Sequence, residues 1–443
     1  VQDGVFMVAP HEHRASVPSQ LCLEGAGKFE VWKHPRLGQQ ELALVLDAPV
    51  FVHHMVGILK GHLLIRPHAL MKRDGHCAGL KVNEMVRKAP RCHLSAHVRL
   101  GQPVPSPVFI WGDTFGLHPA CAALLTLWQQ GVLAAIPCAG SPDGTRSHFD
   151  AQYHWETGKP GSSSPSPGWL NVVSGLMGQG SDLHAIGVGE SSPRILSGTH
   201  PVQLVGNGLL ATRPGTLAEA KTREAMKQLY AGDEKLANAM LEGANNRMST
   251  AAMLKPTNNT APNEQQAANN GAGSPQGLAL DAKHLGTLMQ QNPQLQLGFL
   301  SSGGWDTHIN QGNVTGQLAN NLGNLSSALL QLRALFNQPN DVVMVASEFG
   351  RTCAENGTRG TDHGHGNVMW LMGNAVQGGQ WHGRWDGLAT DQLNEGRDLP
   401  VHHDFRAVFA QALHRNLGLT KGKLDEIFPG YKWDSALDSL FKV

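Results

Sequence analysis

Asp362, His363 and His365 fall within four positions of one loop, spaced by Gly364 and Gly366. The apolar run Val342–Ala346 precedes this loop and ends on Ser347 and Glu348; a second run, Val368–Met372, follows it. Two imidazoles and several carboxylates in so short a polar stretch suit a hard or borderline divalent cation. The glycines let the backbone turn tightly enough for neighbouring side chains to converge. Upstream, the strand-like Leu295–Leu300 leads through Ser301–Gly304 to Trp305, Asp306, Thr307 and His308. In extended chain, positions i and i+2 share a side, so Asp306 and His308 can address one ion. A solvated loop with scattered histidines would explain any one of these residues. Two clusters that both follow buried strands favour the metal reading.

The elements that must position these residues are legible from periodicity. The order of strand Leu295–Leu300, amphipathic helix Val314–Phe336 and strand Val342–Ala346 predicts a βαβ unit. That implies an α/β fold with parallel strands and ligands gathered at their carboxyl ends. Earlier, Pro119–Gln130 predicts a helix stopped by Gly131, Val132–Ala139 a strand, and Leu183–Val188 another. Leu217–Leu241 predicts one or two amphipathic helices, and Phe405–Leu417 a last one. Met248–Gly277, rich in Asn, Ala, Gln, Pro and Ser, predicts an exposed excursion.

Three further residue groups carry chemistry or packing. Ser147 opens a helix with His148, Asp150 and Gln152, so its hydroxyl can cap the free backbone N–H groups. A nucleophile there would also profit from the helix dipole toward an incoming anion. His148 and Asp150 suit outer-sphere or proton-transfer roles, or plain packing on the helix face. Arg351 can clamp a tetrahedral oxyanion, or pair with Glu355 four residues on.

Composition bounds the function. The 443 residues carry 35 basic and 35 acidic side chains, a net charge of zero, which argues against a polyanion surface and so against nucleic acid. No apolar run has the length of a membrane span. The chain begins at Val1, as a processed, trimmed or incomplete product would, and shows no signal peptide. No two of the six cysteines form a Cys-x-x-Cys pair, which argues against a cysteine zinc site; Cys121 and Cys138 are candidates for a disulfide. Residues 1–114 read as a poorly patterned N-terminal part of the same domain. Phe51–Val56 could be a buried strand, with His53 and His54 on opposite faces and unable to share an ion. Residues 115–443 read as the α/β domain, with the helical and low-complexity excursion at about 210–277.

The segments GGWDTHINQ (303–311), SEFGRTCAENG (347–357), GTDHGHGN (360–367), SHFDAQ (147–152), FGLHPA (115–120) and GRDLPVHHDFRAV (396–408) together resemble one family. It is a domain-of-unknown-function family of exported bacterial proteins, often with twin-arginine signals, sulfatase-like and related to the alkaline phosphatase superfamily. The resemblance covers about Phe115–Gly430. It implies an alkaline phosphatase-type α/β/α sandwich with a mostly parallel central sheet, a two-metal site, and a periplasmic or secreted location. Against related phosphodiesterases, Asp306 matches the first acidic strand end, Glu348 the second, and His363 or His365 the later histidine. Phe349 stands where those relatives often have His. Thr145-Arg146-Ser147-His148 and Glu156-Thr157-Gly158 look like variants of their nucleophile region, with Ser147 the first choice and Thr145 the second. The family's opening Gly-Gly-x-Asp-Gly motif has no counterpart in 1–114; Asp3-Gly4 and Trp111-Gly112-Asp113 are poor substitutes. Either that ligand is lost, or the sequence of this region differs from the one the gene encodes. Peptide mass coverage of 1–114 separates the two.

The expected function is metal-dependent hydrolysis of a phosphate or sulfate ester, the substrate being a small molecule or a carbohydrate ester. One or two divalent ions are expected, zinc first, manganese or calcium otherwise, held by Asp306, His308, Glu348, Asp362, His363 and His365. Ser147, His148, Asp150 and Arg351 form the catalytic set. The alternative is an inactive, metal-containing exported protein that binds carbohydrate or a partner protein. The excursion generates the first prediction. Limited proteolysis should cut first between residues 255 and 274, with little change in thermal stability; protection there while other loops are cut would contradict it.

Overall fold

The structure, a computed structural model, describes residues 115–178, 183–189, 192–254 and 275–442, and for the strands before residue 115 the backbone alone. Eight short runs form one sheet: β1 (Gly4–Val8), β2 (Leu133–Gly140), β3 (Ala185–Val188), β4 (Val202–Val205), β5 (Leu297–Ser301), β6 (Val342–Val345), β7 (Asn367–Gly373) and β8 (His403–Asp404). Every residue of β2, β3, β5, β6 and β7 is buried. Successive strand residues face opposite sides, so both faces of the sheet are covered, and these runs are continuously apolar for that reason.

The helices are α1 (Leu124–Gln129), α2 (His148–Thr157), α3 (Trp169–Met177), α4 (Ala220–Leu229), α5 (Glu234–Met253), α6 (Leu278–Gln291), α7 (Gln317–Leu335), α8 (Phe405–Leu417) and α9 (Lys421–Ile427). Helix α6 packs on α7 and against β3 and β5, while α8 contacts β1 and α9. No described helix is long and apolar enough to cross a membrane.

Strand order is β8-β2-β7-β6-β1-β5-β3-β4. The expected α/β class holds, but the sheet is mixed. β1 runs antiparallel to both β5 and β6, and β7 antiparallel to both β6 and β2. β3 pairs in parallel with β5 and β4, as does β8 with β2. Strands β5 and β6 therefore point the same way, as a βαβ unit through α7 requires, yet they do not touch. The N-terminal strand, Phe6 against Phe299 and Met344, lies between them. This central strand comes from the part of the sequence whose pattern was hardest to read. Val52–His53 also pairs with Phe349–Gly350, with His53 opposite Phe349; His54 lies outside the described residues.

Other expectations shift in detail. Pro119–Gln130 divides into a 3-10 turn, Pro119–Cys121, and α1. The expected excursion begins later than its composition suggests, because α5 continues to Met253 and Pro275 is buried in a 3-10 turn; residues 255–274 lie outside the described residues. Cys121 and Cys138 are both buried and both free, so the proposed disulfide does not form. The Cys121 thiol lies 3.8 Å from the Leu322 carbonyl of α7.

Asp281, buried in the first turn of α6, fixes the Gly208 turn by accepting its N–H at 2.6 Å. Burial pushes its carboxyl up to about 7, against the pull of that hydrogen bond. A folded-state pKa raised above the ordinary 3.8 means that the folded protein holds the proton more tightly. The penalty then grows as pH rises from about 4 to about 7 and levels off above that. Asp281→Asn keeps an acceptor and removes the charge. Its melting temperature relative to wild type should be higher at pH 8 than at pH 5, and a pH-independent difference would contradict the assignment.

Candidate metal centre

The site is built where β5, β6 and the start of α2 meet. After β5 the chain runs through Ser302–Trp305, with Trp305 buried, and presents Asp306 and His308. Thr307 is buried between them and donates to Gln311 at 2.7 Å. The alternation follows from extended chain, in which neighbours face opposite sides. After β6, Glu348 and Arg351 are both buried. The loop then returns along itself: Thr352 N–H donates to Asp362 C=O at 2.9 Å, and Arg351 bridges His363. Gly360 is required there, since a Cβ would meet the His308 backbone at 2.3 Å.

Helix α2 supplies the third arm. Ser147 is its N-cap, accepting from Asp150 N–H at 3.5 Å, and Gly158 ends it in the left-handed region at φ 68°. Two residues seven apart on this helix bind the same glutamate. Trp155 Nε1 donates to the Glu348 carbonyl at 2.8 Å, and His148 Nδ1 lies 2.8 Å from the Glu348 carboxylate. Trp155 also stacks on Phe405 of α8 at 3.9 Å. The helix start is thus held on both sides.

Three imidazoles reach toward one carboxylate. His308 Nε2 lies 2.7 Å from Asp306 Oδ1, His363 Nε2 3.2 Å from the same oxygen, and His148 Nε2 3.3 Å from Oδ2. His308 Nε2 and His363 Nε2 are 3.0 Å apart. Each ring commits its other nitrogen to an acceptor: His148 to Glu348 at 2.8 Å, His308 to Asp362 at 3.2 Å, His363 to the Arg146 carbonyl at 2.8 Å. An acceptor at Nδ1 places the proton there, so each neutral ring turns an Nε2 lone pair toward the others and toward Asp306. The arrangement draws positive charge. Burial of the His148 ring works against its charge, but hydrogen bonds from Asp306 and Glu348 prevail and push its pKa up to about 9.

His148, Asp306 and His363 offer donor atoms that all lie within 4.8 Å of one another. Two ligand atoms bound tetrahedrally to one zinc ion stand roughly 3.3 Å apart, so these residues fit a divalent ion of borderline hardness. Three protein ligands with a position left open is the pattern of catalytic zinc sites. His308 adds a fourth nitrogen beside Asp306 and His363.

The other expected residues stand around this group. Glu348 and Asp362 address ring nitrogens, so they act on the rings from outside. Asn356 donates to both Asp362 Oδ1 and the His308 carbonyl, each at 3.0 Å. That bond, followed by the contact with His308, holds the Asp362 carboxyl below its usual range. His365 Nε2 bonds the Ser141 carbonyl at 2.9 Å, away from Asp306. Arg351 pairs with Asp306 at 3.1 Å, and Thr361 takes its remaining donors; burial draws its pKa down to about 10 against the pull of Asp306. Asp150 is exposed on α2. Thr145 N–H donates to Asp143 at 3.0 Å, and its hydroxyl accepts from Ser147 N–H at 3.3 Å. The sequence reading placed His148 outside the ligand set. The signal that could have moved it inward is its place at a helix start after a strand end, facing two clusters at neighbouring ends.

A protein-family model described as "Protein of unknown function (DUF1501)" matches residues 110–428, and the chain belongs to that family. No curated protein and no solved structure matches it.

The geometry separates ligands from supports. His363→Ala should lose bound zinc, measured by metal analysis of the folded protein. Asp362→Asn should weaken zinc binding by about 10–100-fold, the usual effect of losing an outer partner. His365→Ala should leave stoichiometry unchanged, and zinc loss there would return His365 to the ligand set.

Proposed function

We propose that this member of the DUF1501 family is a metal-dependent hydrolase of a phosphate or sulfate ester. The observation that carries the reading is the convergence of His148, His308 and His363 on Asp306, with every other ring nitrogen committed elsewhere. His148, Asp306 and His363 would hold the ion, with His308 beside them. Zinc is the first choice for such a nitrogen-rich set. Bound there, the ion would polarise the ester oxygens and lower the pKa of a hydroxyl or water.

The chain's own residues would do the rest. Glu348 and Asp362 fix the orientation of His148 and His308 and raise their basicity. Arg351, buried and charged beside Asp306, adds a positive field where anionic oxygens gather. Ser147 stands at the start of α2, one residue before His148, where free N–H groups favour an anion. It would attack in line, forming a bond to phosphorus or sulfur as the bond to the leaving oxygen breaks. The resemblance to sulfatase-like proteins supports this chemistry, an alkaline phosphatase-type sandwich and a location outside the cytoplasm.

A second reading has its own observation. Phe349, where related enzymes often have His, is buried and packs its ring 4.9 Å from His148 and 4.7 Å from His363. A phenyl ring ligates nothing. This favours a single ion, and it is the feature that an inactive, metal-containing binding protein for carbohydrate or a partner would share.

The two readings part on turnover. The zinc-loaded protein should hydrolyse at least one of a panel of aryl phosphates, phosphodiesters and aryl sulfates. Ser147→Gly keeps most of the cap, since Gly costs only a few tenths of a kcal/mol there. It should stay folded and metal-loaded yet lose turnover by about a hundredfold or more. Unchanged turnover would pass the attack to water, and no hydrolysis by wild type with zinc, manganese or calcium would favour the binding protein.

A further inference from the structure

We infer that the ester accepted at this centre carries an apolar organic group, which rests on Phe149 and Ile309 while the anionic head enters the His–Asp cluster. The inference rests on the hydrolase reading and names its substrate class. Phe149 is 73% exposed and Ile309 63% exposed. Single exposed apolar side chains are ordinary on any surface. What sets these two apart is position, for each directly follows a histidine of the cluster, and the Nε2 atoms of those histidines, His148 and His308, contact the same carboxylate.

The other large exposed apolar residues among those described lie elsewhere: Leu229, Leu236 and Met253 on α4 and α5, Leu204 on β4, and Leu330 on α7.

Both side chains are presented on fixed backbone. Phe149 sits in the capped first turn of α2, whose Asp150 N–H bonds the Ser147 hydroxyl. The backbone around Ile309 is stapled to the facing loop: Asn310 N–H donates to Thr358 C=O at 3.0 Å, Gln311 N–H to Arg359 C=O at 2.9 Å, and the Thr358 hydroxyl to His308 C=O at 2.6 Å. Little backbone freedom remains to be lost when a ligand covers them, so apolar contact there converts efficiently into affinity. Asp306 itself is 39% exposed, which leaves the charged end open to the same mouth. A headgroup of high charge beside two fixed apolar surfaces describes an amphiphilic ester, such as an aryl or alkyl phosphate or sulfate.

Non-hydrolysable phosphonates test this without relying on turnover. Zinc-loaded wild type and the Phe149→Ser/Ile309→Ser double variant would be titrated calorimetrically with methylphosphonate and hexylphosphonate. Wild type should bind hexylphosphonate about tenfold or more tightly than methylphosphonate, a modest share of what burying the chain can yield. The double variant should keep its zinc and its methylphosphonate affinity and lose most of the chain-length difference. Equal affinities in wild type, or a preference that survives the double substitution, would overturn the inference alone. Zinc-loaded protein that binds neither phosphonate would overturn the anionic-ester reading with it.

Discussion

The carboxylate of Asp306 is the point on which the site depends. It stands against three ring nitrogens and a guanidinium, at 2.7 to 3.3 Å. Without a negative charge there, Arg351 and a protonated His148 would repel each other, and a buried guanidinium would lack its ionic partner. Arg351 is only 1% exposed, so its donors must be met inside the protein. Thr361 meets two of them, and Asp306 supplies the charge. One residue at the end of one strand thus accounts for a buried arginine and for the convergence of the imidazoles.

The sheet sets the distance that the site must span. β1 lies between β5 and β6, so the strands leading to Asp306 and Glu348 are two spacings apart, about 9.5 Å. A carboxylate pair at that separation does not act as one group. His148 closes the gap, touching Glu348 with Nδ1 and Asp306 with Nε2. This explains why α2 is tied so firmly. Trp155, two turns along, bonds the Glu348 carbonyl and stacks on α8, which fixes the direction from which His148 enters. The imidazole is the right length for the bridge because a strand has been inserted beneath it.

That insertion is also the limit of what the sequence made legible. Strands β2, β3, β5, β6 and β7, and helices α7 and α8, are legible because buried runs and amphipathic periods are local properties. Asp306, His308 and His363 stand out because spacing in extended chain is local too. The partner of a strand is not local. Gly4–Val8 has a short apolar run like many others, and only tertiary pairing makes it central and antiparallel. Ring orientation is no more local. His363 and His365 share a side by spacing, and both bond carbonyls of the loop after β2, at Arg146 and Ser141. His363 does so through Nδ1 and keeps Nε2 for Asp306; His365 spends Nε2 on the carbonyl. Glu348 and Asp362 follow the same logic, since a carboxylate next to a ring nitrogen shapes the ligand field without entering it.

Phe349 then decides how much chemistry the proposed centre has room for. Its ring lies against both His148 and His363 and is almost fully buried. It closes the side of the cluster that faces the protein interior with atoms that donate nothing. It also stiffens the two rings, because neither can rotate into volume that the phenyl already fills. Ligand exchange is left to the opposite side, where Asp306 and His308 are partly exposed. A centre built this way gains orientation from packing on one side and access from solvent on the other. A histidine in place of Phe349 would add a donor to the closed side, while the open side would remain the only approach for a substrate.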